Sequence, residues 1–424
     1  MSAGRSQAVH RDMPVEQQRN VAAAVVPPEP PTPTGYTLSG ASHHEKDMHK
    51  YTWPDHTDPI AHPGLAWIYR HQHPEARNPP SSCKGKKFLT YIWPKKGDIR
   101  DTRNIGALVT TLAIWLQYAM EQDRILVYDD VDWNIGDCNA GNHTCYFLPV
   151  SSCTYQDVLD QYPADSHYQI TDLNTPAKIL AQKHGHHGVW KATTSWYRAA
   201  LEEIRQNAFG AVGYTHQCKW LQAAMLYFLR VQPWVQKVIG ENIKKSLPDW
   251  FDPAKTVSMP IRGSDHCKGH NLEGSSAGEY DCKYYMPEYF MKLAAKVKKF
   301  DPNVDTILMT SEDQTRVEEI KKLVQGTSWK LVLNKGDVMQ GTGSSTGLTL
   351  NRKDIKLTVS QVMASAISTI HFQLRSRYLL GTFRSAYGIM MIILHQTEEV
   401  TFTDARMWWP TDPNHEFKEI WMCP

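Results

Sequence analysis

The segment Tyr284–Thr310, YYMPEYFMKLAAKVKKFDPNVDTILMT, indicates the fold class of this chain. Its first part, Tyr284–Phe300, has apolar residues three and four positions apart, which predicts an amphipathic helix that ends at Asp301-Pro302. The next part, Asp305–Thr310, is a short apolar run, which predicts a buried strand. A helix that leads into a buried strand is the repeating unit of a parallel sheet.

The same alternation continues on both sides of this segment. The further strands are predicted at Thr256–Ile261, Trp329–Leu333 and Tyr378–Thr382, and the further helices at Gln314–Val324, Asp354–Phe372 and Ser385–Leu394. Four strands, each followed by a helix, predict a doubly wound parallel sheet in the second half of the chain.

The first half begins in the same way. Lys87–Trp93 and Arg124–Asp130 are predicted strands joined by an apolar helix at Asn104–Met120, and three helical patterns follow between about residues 193 and 246. These patterns predict an α/β protein with two Rossmann-like domains, 61–250 and 251–424, that face each other across a cleft. Residues 1–60, with PPEPPTPTG at 27–35, are predicted to be a disordered stem or tail.

Charge and hydropathy exclude two classes of protein. The 46 basic and 44 acidic residues give a formal net charge of +2, which argues against a dedicated nucleic-acid binder. No segment is long and apolar enough to span a membrane, because the best N-terminal run, Val21–Val26, is far too short. We therefore expect any membrane contact to be made through a separate anchor.

The cysteines favour an oxidising compartment. None of the eight forms a CxxC pair, and Cys138, Cys145 and Cys153 lie close together in a stretch rich in glycine, asparagine, serine and proline. The glycosylation sequon Asn142-His143-Thr144 falls in the same stretch. Together these features predict a glycoprotein of the secretory lumen, such as the Golgi.

Mostly polar residues lie at or after the ends of three predicted strands in the second half. They are Arg262, Ser264, Asp265, His266 and Lys268 at the first strand, Glu312 and Asp313 at the second, and Thr382, Phe383, Arg384 and Ser385 at the last. The carboxyl ends of parallel strands meet at one edge, so these residues are predicted to form a donor site, with the arginines and hydroxyls binding a diphosphate. The structural alternatives are an ion pair of Arg262 with Asp265 or Glu312, and helix capping by Ser385.

These segments resemble the α1,6-fucosyltransferase family, which includes core and nodulation fucosyltransferases. The chain has RGSDH at 262–266 for the family's RRTDK, SED at 311–313 for TDD, IHF at 370–372, GTFRS at 381–385 for CTFSS and AYGIM at 386–390 for AYEIM. In the first half, IYRHQHP at 68–74 is similar to the HQNP helix end, and YFLRVQPW at 227–234 to YLIRPQPW. The matches occur in the family's order from about residue 65 to 395.

The resemblance implies a glycosyltransferase of the GT-B type, with the donor site in the C-terminal domain. It implies transfer of fucose from GDP-fucose to a glycan or glycoprotein, with inversion and without a metal. This sequence departs from the family at Pro260, Gly263 and Thr369, the last in place of an aspartate that binds guanine. A hydroxyl is a less selective partner for guanine than a carboxylate, so the nucleotide and the sugar stay open.

The insert Gly269–Cys282 extends the loop in which the family has its acidic catalytic residue. Glu279 is the preferred general base because it lies near the following helix, Glu273 is the second candidate, and Asp265, just before the insert, is a further carboxylate. Arg262 and Arg384 are expected to stabilise the leaving diphosphate, so no metal is required. A Cys267–Cys282 disulfide is expected to clamp the loop.

Other interpretations stay open. The histidines at 43, 44 and 49, and at 184, 186 and 187, allow a zinc hydrolase, although surface histidines are favoured. A non-catalytic relative that binds a sugar or nucleotide is the other alternative. The glycine-rich segment 341–347 lacks Gly-Lys-Ser/Thr and is predicted to be a mobile flap rather than a phosphate loop. The identity of the acceptor is not encoded in any motif of the chain.

Overall fold

The fold is described from a computed structural model of the chain. The described residues are 63–76, 80–92, 105–129, 143–170, 182–193, 215–261, 286–311, 313–335, 359–381 and 386–395. The predicted N-terminal tail, the first helical pattern after residue 193, the insert Gly269–Cys282 and the glycine-rich segment 341–347 lie outside these residues.

The first half contains a sheet of four parallel strands. The strands are β1 (Lys87–Ile92), β2 (Arg124–Tyr128), β3 (Tyr168–Gln169) and β4 (Val189–Thr193), and their order across the sheet is β2-β1-β4-β3. The helices of this half are α1 (Pro63–Gln72), α2 (Ile105–Glu121), α3 (Tyr155–Gln161), α4 (Thr215–Phe228) and α5 (Pro233–Ser246). Strand β4, in the interior of the sheet, was not predicted from the sequence.

The second half contains a second sheet, which is also parallel. Its strands are β5 (Thr256–Pro260), β6 (Thr306–Thr310), β7 (Lys330–Leu333) and β8 (Tyr378–Leu379), in the order β7-β6-β5-β8. Its helices are α6 (Pro287–Phe300), α7 (Gln314–Val324), α8 (Val359–Gln373) and α9 (Ala386–Leu394). The predicted alternation of strands and helices is confirmed here, with ends that differ by a few residues.

Local chemistry explains where these elements begin and pack. Helix α6 begins at Pro287, a residue type that suits the first position of a helix because its missing N–H would have no partner there. Its buried residues, among them Phe290, Leu293 and Val297, follow the helical period and pack against the second sheet. Strand β6 is buried along its whole length, as expected for a strand covered on both faces.

The last two helices pack into the core of the first half. Met363 and Ile367 of α8, and Met390 and Met391 of α9, are buried in the same cluster as Leu112 of α2. Helix α9 is strongly apolar, and its residues Met390, Met391, Ile393 and Leu394 are buried. Helix α8 also contacts β5 and β6, so it packs against elements of both halves. The domain boundary at about residue 250 stays a prediction.

A disulfide joins Cys83 to Cys153, which are 70 positions apart. Cys145 is disulfide-bonded as well. Cys153 therefore bonds to the segment before β1 and not to another cysteine of the 138–153 cluster. Cys267 and Cys282 lie outside the described residues. Among the described helices, none combines the length and hydropathy needed to cross a membrane.

Candidate functional site

The strand order of the second sheet identifies a candidate ligand edge. From β5 the chain adds β6 and then β7 on one side, whereas β8 lies on the other side of β5. The direction of winding therefore reverses between β5 and β8, which pair in parallel with Ser258 opposite Leu379. In open α/β sheets, ligands bind in the crevice beyond the carboxyl ends of the strands at such a switch point. The candidate site is this edge of the sheet.

Two backbone hydrogen bonds continue the sheet just past these strands. The N–H of Ile261 donates to the carbonyl of Thr310 at 3.0 Å, and the N–H of Leu380 donates to the carbonyl of Ser258 at 2.8 Å. Arg262 is the next residue of the chain after Ile261, and Thr382 follows two residues after Leu380. The two predicted diphosphate-binding segments thus start from neighbouring strands.

Most of the predicted site residues lie outside the described part of the chain. They are Arg262, Ser264, Asp265, His266, Lys268, Glu273, Glu279, Glu312, Thr382, Phe383, Arg384 and Ser385. Their roles stay predictions. Two predicted donor-binding residues, Asp313 and Thr369, are described, and both have hydrogen-bond partners within the protein.

Asp313 is the N-cap of helix α7. Its carboxylate accepts a hydrogen bond from the backbone N–H of Thr315 at 2.9 Å, and its own N–H donates to the hydroxyl of Ser311 at 3.1 Å. A carboxylate at this position satisfies an N–H that the helix cannot pair and interacts favourably with the helix dipole. Asp313 is buried, so the arrangement also orders the turn that leaves β6.

Thr369 on helix α8 contacts the end of strand β7. The side-chain amide of Asn334, the residue directly after β7, donates to the Thr369 hydroxyl at 3.0 Å. Asn334 is 1% exposed. A buried amide needs hydrogen-bond partners, so this contact orients Thr369 at the carboxyl end of the second sheet. Asn334 was not predicted from the sequence, although its position directly after a predicted strand was a usable signal.

The network continues from Asn334 to helix α5, because the hydroxyl of Ser246 donates to the amide oxygen of Asn334 at 3.5 Å. Asn242 donates from its side-chain amide to the hydroxyl of Ser368 at 2.5 Å, and the hydroxyl of Ser246 donates to the amide oxygen of Asn242 at 3.0 Å. All three side chains are buried. Helices α5 and α8 are therefore joined by paired polar groups as well as by apolar packing.

The two motifs of the first half contact each other in a buried junction. An imidazole nitrogen of His73 hydrogen-bonds the hydroxyl of Tyr227 at 3.1 Å, and that hydroxyl donates to the carbonyl of Val150 at 2.6 Å. The Arg230 guanidinium lies 3.8 Å from the centre of the Tyr227 ring and donates to the carbonyl of Pro149 at 2.7 Å. The motifs therefore join the ends of α1 and α4.

His73 and Tyr227 are both neutral near neutral pH, although the charged Arg230 lies beside them. Burial, together with the charge of Arg230, lowers the pKa of His73 to about 4. Burial raises the pKa of Tyr227 to about 12. A neutral imidazole and a neutral phenol suit a structural junction that excludes water.

The histidines at 184 and 187, which belong to a predicted histidine cluster, contact neighbouring protein groups. His184 stacks on Tyr168 with ring centres 3.8 Å apart, and Nδ1 of His187 hydrogen-bonds the carbonyl of Ser166 at 3.1 Å. In the described part of the chain, no group of three or more His, Cys, Asp or Glu side chains has a geometry that could hold a metal ion.

The fold defined by these features is α/β, with two parallel sheets and a switch point in the second sheet. Solved structures similar to this chain include fucosyltransferases. One is the NodZ α-1,6-fucosyltransferase soaked with GDP-fucose, at a TM-score of 0.42 and 10% identity, covering 79% of this chain and 99% of NodZ. This is the class of enzyme that the sequence motifs resemble.

Two further structures belong to the same class. A mutant of FUT1 from Arabidopsis thaliana in complex with GDP has a TM-score of 0.42 and 11% identity, over 84% of this chain and 76% of that one. POFUT1 in its apo form has a TM-score of 0.38 and 12% identity, over 74% and 96%. No protein-family model and no curated protein sequence matches the chain.

Proposed function

We propose that this chain is an inverting glycosyltransferase that transfers a sugar from a nucleotide sugar to a glycan or glycoprotein. The observation that carries the proposal is the strand order β7-β6-β5-β8. Its switch point lies between β5 and β8. Arg262 follows β5 in the chain, and Thr382–Ser385 follows β8. A diphosphate bound there would meet the arginine side chains and the start of helix α9.

The donor is proposed to be GDP-fucose, which is also the compound named for the NodZ structure. Arg262 and Arg384, with Ser264, His266, Lys268 and the Thr382–Ser385 turn, would hold the diphosphate. Glu312, Asp313 and Thr369 would border the nucleoside. The choice of fucose and guanine follows the sequence resemblance, and Thr369 in place of an aspartate makes another nucleotide sugar the first alternative.

The proposed reaction is a single displacement. A carboxylate, Glu279 before Glu273 or Asp265, takes the proton of the acceptor hydroxyl as its oxygen attacks C1 of the sugar. The bond between C1 and the phosphate oxygen breaks, and the nucleoside diphosphate leaves with its electron pair. Arginine side chains would neutralise the charge that develops on the diphosphate, so the mechanism requires no metal.

The proposed location is the secretory lumen. The Cys83–Cys153 disulfide and the disulfide-bonded Cys145 support it, because structural disulfides persist in oxidising compartments. The sequon at Asn142 agrees with this location.

The test is a thermal-shift panel of nucleotide sugars and nucleoside diphosphates, followed by a transfer assay with and without a chelator. A ligand at 100 times its Kd stabilises the folded state by about 2.7 kcal/mol, which raises the melting temperature. GDP and GDP-fucose are expected to give the largest shifts, with turnover insensitive to the chelator. Binding without turnover on any acceptor would support the non-catalytic alternative, and loss of activity with the chelator would support a metal enzyme.

A further inference from the structure

Two basic segments meet at the amino-terminal edge of the first sheet. One is Ser82–Lys87, SCKGKK, and the other is Lys183–Gly188, KHGHHG. The Lys87 ammonium donates to the carbonyl of Gly185 at 2.7 Å, and the N–H of Phe88 donates to the carbonyl of Gly188 at 2.8 Å. We call the surface formed by these two segments the cationic edge.

A buried arginine lies beneath the cationic edge. The Arg124 guanidinium donates to the carbonyls of Phe88, Gly185, His187 and Gly188 over distances of 3.0 to 3.5 Å, and it lies 3.8 Å from the centre of the Trp190 ring. These partners are neutral, so they orient the guanidinium without cancelling its charge. Arg124 thus adds a positive charge below the surface and holds the second segment in place.

The cationic edge has more basic than acidic residues, although Asp157, Asp160 and Asp165 lie in the stretch that hydrogen-bonds to it. Neither basic segment contains an acidic residue, and no ion pair in the described part of the chain involves Lys84, Lys86, Lys87 or Lys183. The surface therefore has a local excess of positive charge, although the whole chain is near neutral. An anionic ligand would complement this charge.

An aromatic platform borders the same surface. Tyr168, the first residue of β3, stacks on His184 with ring planes 11° apart, and the centre of the His187 ring is 5.5 Å from that of Tyr168. Flat aromatic faces stack on the C–H faces of sugar rings. Cations beside such a platform suit a ligand that has both anionic groups and sugar rings.

The Cys83–Cys153 disulfide favours acidic polysaccharides over nucleic acids as the anionic ligand. Cys83, directly before Lys84, is bonded to Cys153, and this bond holds the first basic segment in place. Disulfides of this kind persist in extracellular and lumenal compartments, where acidic polysaccharides occur and nucleic acids are rare. The chemistry of the surface and the chemistry of the disulfide therefore favour the same partner.

We propose that the cationic edge binds an acidic polysaccharide. Sulfate or carboxylate groups would contact Lys84, Lys86 and Lys183, and a sugar ring would lie against the Tyr168–His184 platform. The surface lies at the amino ends of the strands of the first sheet, the edge opposite their carboxyl ends. The proposal does not depend on the transfer reaction.

The test uses a fluorescent heparin oligosaccharide, with its Kd measured by anisotropy at fixed salt. The variant K84Q/K86Q/K183Q removes three charges and keeps the Lys87 contact to Gly185. The matched control, K237Q/K244Q/K245Q, removes three lysine charges from helix α5, where all three residues are exposed. K84Q/K86Q/K183Q is expected to bind heparin about tenfold more weakly. Each exposed charge contact contributes little to the binding free energy, but the three contributions add. The control should bind like the wild type.

Protonation of His184 gives the surface a second property that can be measured. The charged and titratable groups around His184 are Lys87, Arg124, Asp165, His167, Tyr168, Lys183, His186, His187 and Lys191. Burial, together with its basic neighbours His187, His186 and Lys183, lowers the pKa of His184, and a bound polyanion would oppose the effect of these neighbours. Wild-type protein is expected to bind more tightly at pH 6.0 than at pH 7.5, and H184Q should lose most of this gain.

Several outcomes would overturn the proposal. Equal loss in the control and in K84Q/K86Q/K183Q would show a response to net charge and not a site. If K84Q/K86Q/K183Q binds heparin as tightly as the wild type and has the same melting temperature, heparin binds at another surface of the protein. If duplex DNA or anionic vesicles displace the labelled heparin at a lower charge concentration than unlabelled heparin does, the preferred ligand is that class of polyanion and not a polysaccharide. If K84Q/K86Q/K183Q fails to fold, K84Q alone provides the test, since Lys84 is exposed.

Discussion

The side-chain amide of Asn334 donates a hydrogen bond of 3.0 Å to the hydroxyl of Thr369. One residue directly follows strand β7 and the other lies on helix α8, so the bond ties the carboxyl edge of the second sheet to the helix that also contacts the first half. Both positions border the edge where the nucleotide is proposed to bind.

Replacing Asn334 with alanine is expected to destabilise the protein by about 1–3 kcal/mol. The substitution removes a buried donor and leaves the Thr369 hydroxyl with one partner fewer. The free energy of unfolding from a denaturant titration measures the effect. Asn303→Ala, at an exposed position, is the matched control and should change it by less than about 0.5 kcal/mol. Equal effects of the two substitutions would contradict a structural role for the Asn334 amide.

Arg262→Ala is expected to reduce turnover by about 30- to 1000-fold. The substitution removes a charge-assisted contact to the donor diphosphate, on the order of 2–4 kcal/mol in the transition state. Folding should be nearly unchanged, as measured by the melting temperature. Steady-state kinetics on a donor confirmed by thermal shift gives the answer, with Lys321→Ala on the exposed face of α7 as control. Near-normal turnover in Arg262→Ala would show that Arg262 does not bind the donor diphosphate.

Glu279→Gln should bind the donor normally and fail to transfer the sugar. Loss of a positioned general base costs about 10²- to 10⁴-fold in rate, and the base contacts the acceptor rather than the donor. Donor Kd from calorimetry and kcat from product analysis separate the two effects, and Glu273→Gln should be milder. The product should have inverted configuration, because a single displacement has no covalent intermediate. Retained configuration, or full activity in the double variant, would contradict the mechanism.

Loss of the Cys83–Cys153 disulfide is expected to destabilise the protein by about 4 kcal/mol or less. The bond closes a loop of 70 positions, and a cross-link of this length strongly restricts the unfolded chain. Unfolding of C83S/C153S should occur at lower denaturant than unfolding of the wild type. Non-reducing peptide mapping should find Cys83 joined to Cys153, with Cys267–Cys282 expected as well. Free thiols at Cys83 and Cys153 in protein from an oxidising host would contradict the pairing.

Stability is expected to fall as the pH drops below about 6.5. Burial lowers the pKa of His73 and of His395 to about 4, whereas an unfolded histidine titrates near 6.5. The unfolded chain therefore binds more protons between these values, and each histidine removes up to about 1.4 kcal/mol per pH unit in that window. Above pH about 6.5 both groups are neutral in either state, so this destabilisation is absent.

Denaturant titrations at pH 7.5 and pH 5.0 measure this loss. His395→Phe keeps an aromatic ring but loses the hydrogen bond to the carbonyl of Ser376, so it should be less stable at pH 7.5. Because it cannot be protonated, it should lose less stability on acidification. His186→Gln, at an exposed position, should lose as much as the wild type. The same acid loss in wild type and His395→Phe would assign the pH dependence to other groups.

Elements that depend on local pattern were predictable from the sequence. Helix α7 was predicted with its observed bounds, Gln314–Val324, because its apolar period is a local signal, whereas the capping role of Asp313 was not predicted. Strands β5 and β6 were found within a residue or so at either end for the same reason. Strand β4 was missed because VWKAT is short, contains Lys191 and follows a histidine-rich turn.

The sequence by itself determined the α/β class and the candidate edge, since both depend on alternation and on which residues follow each strand. Only the tertiary structure decided that Cys153 bonds to Cys83, that Arg124 is buried against four carbonyls, and that Asn334 contacts Thr369. Each of these contacts joins residues at least 35 positions apart in the chain. Such pairings depend on how whole elements pack, and no local pattern of residue types specifies them.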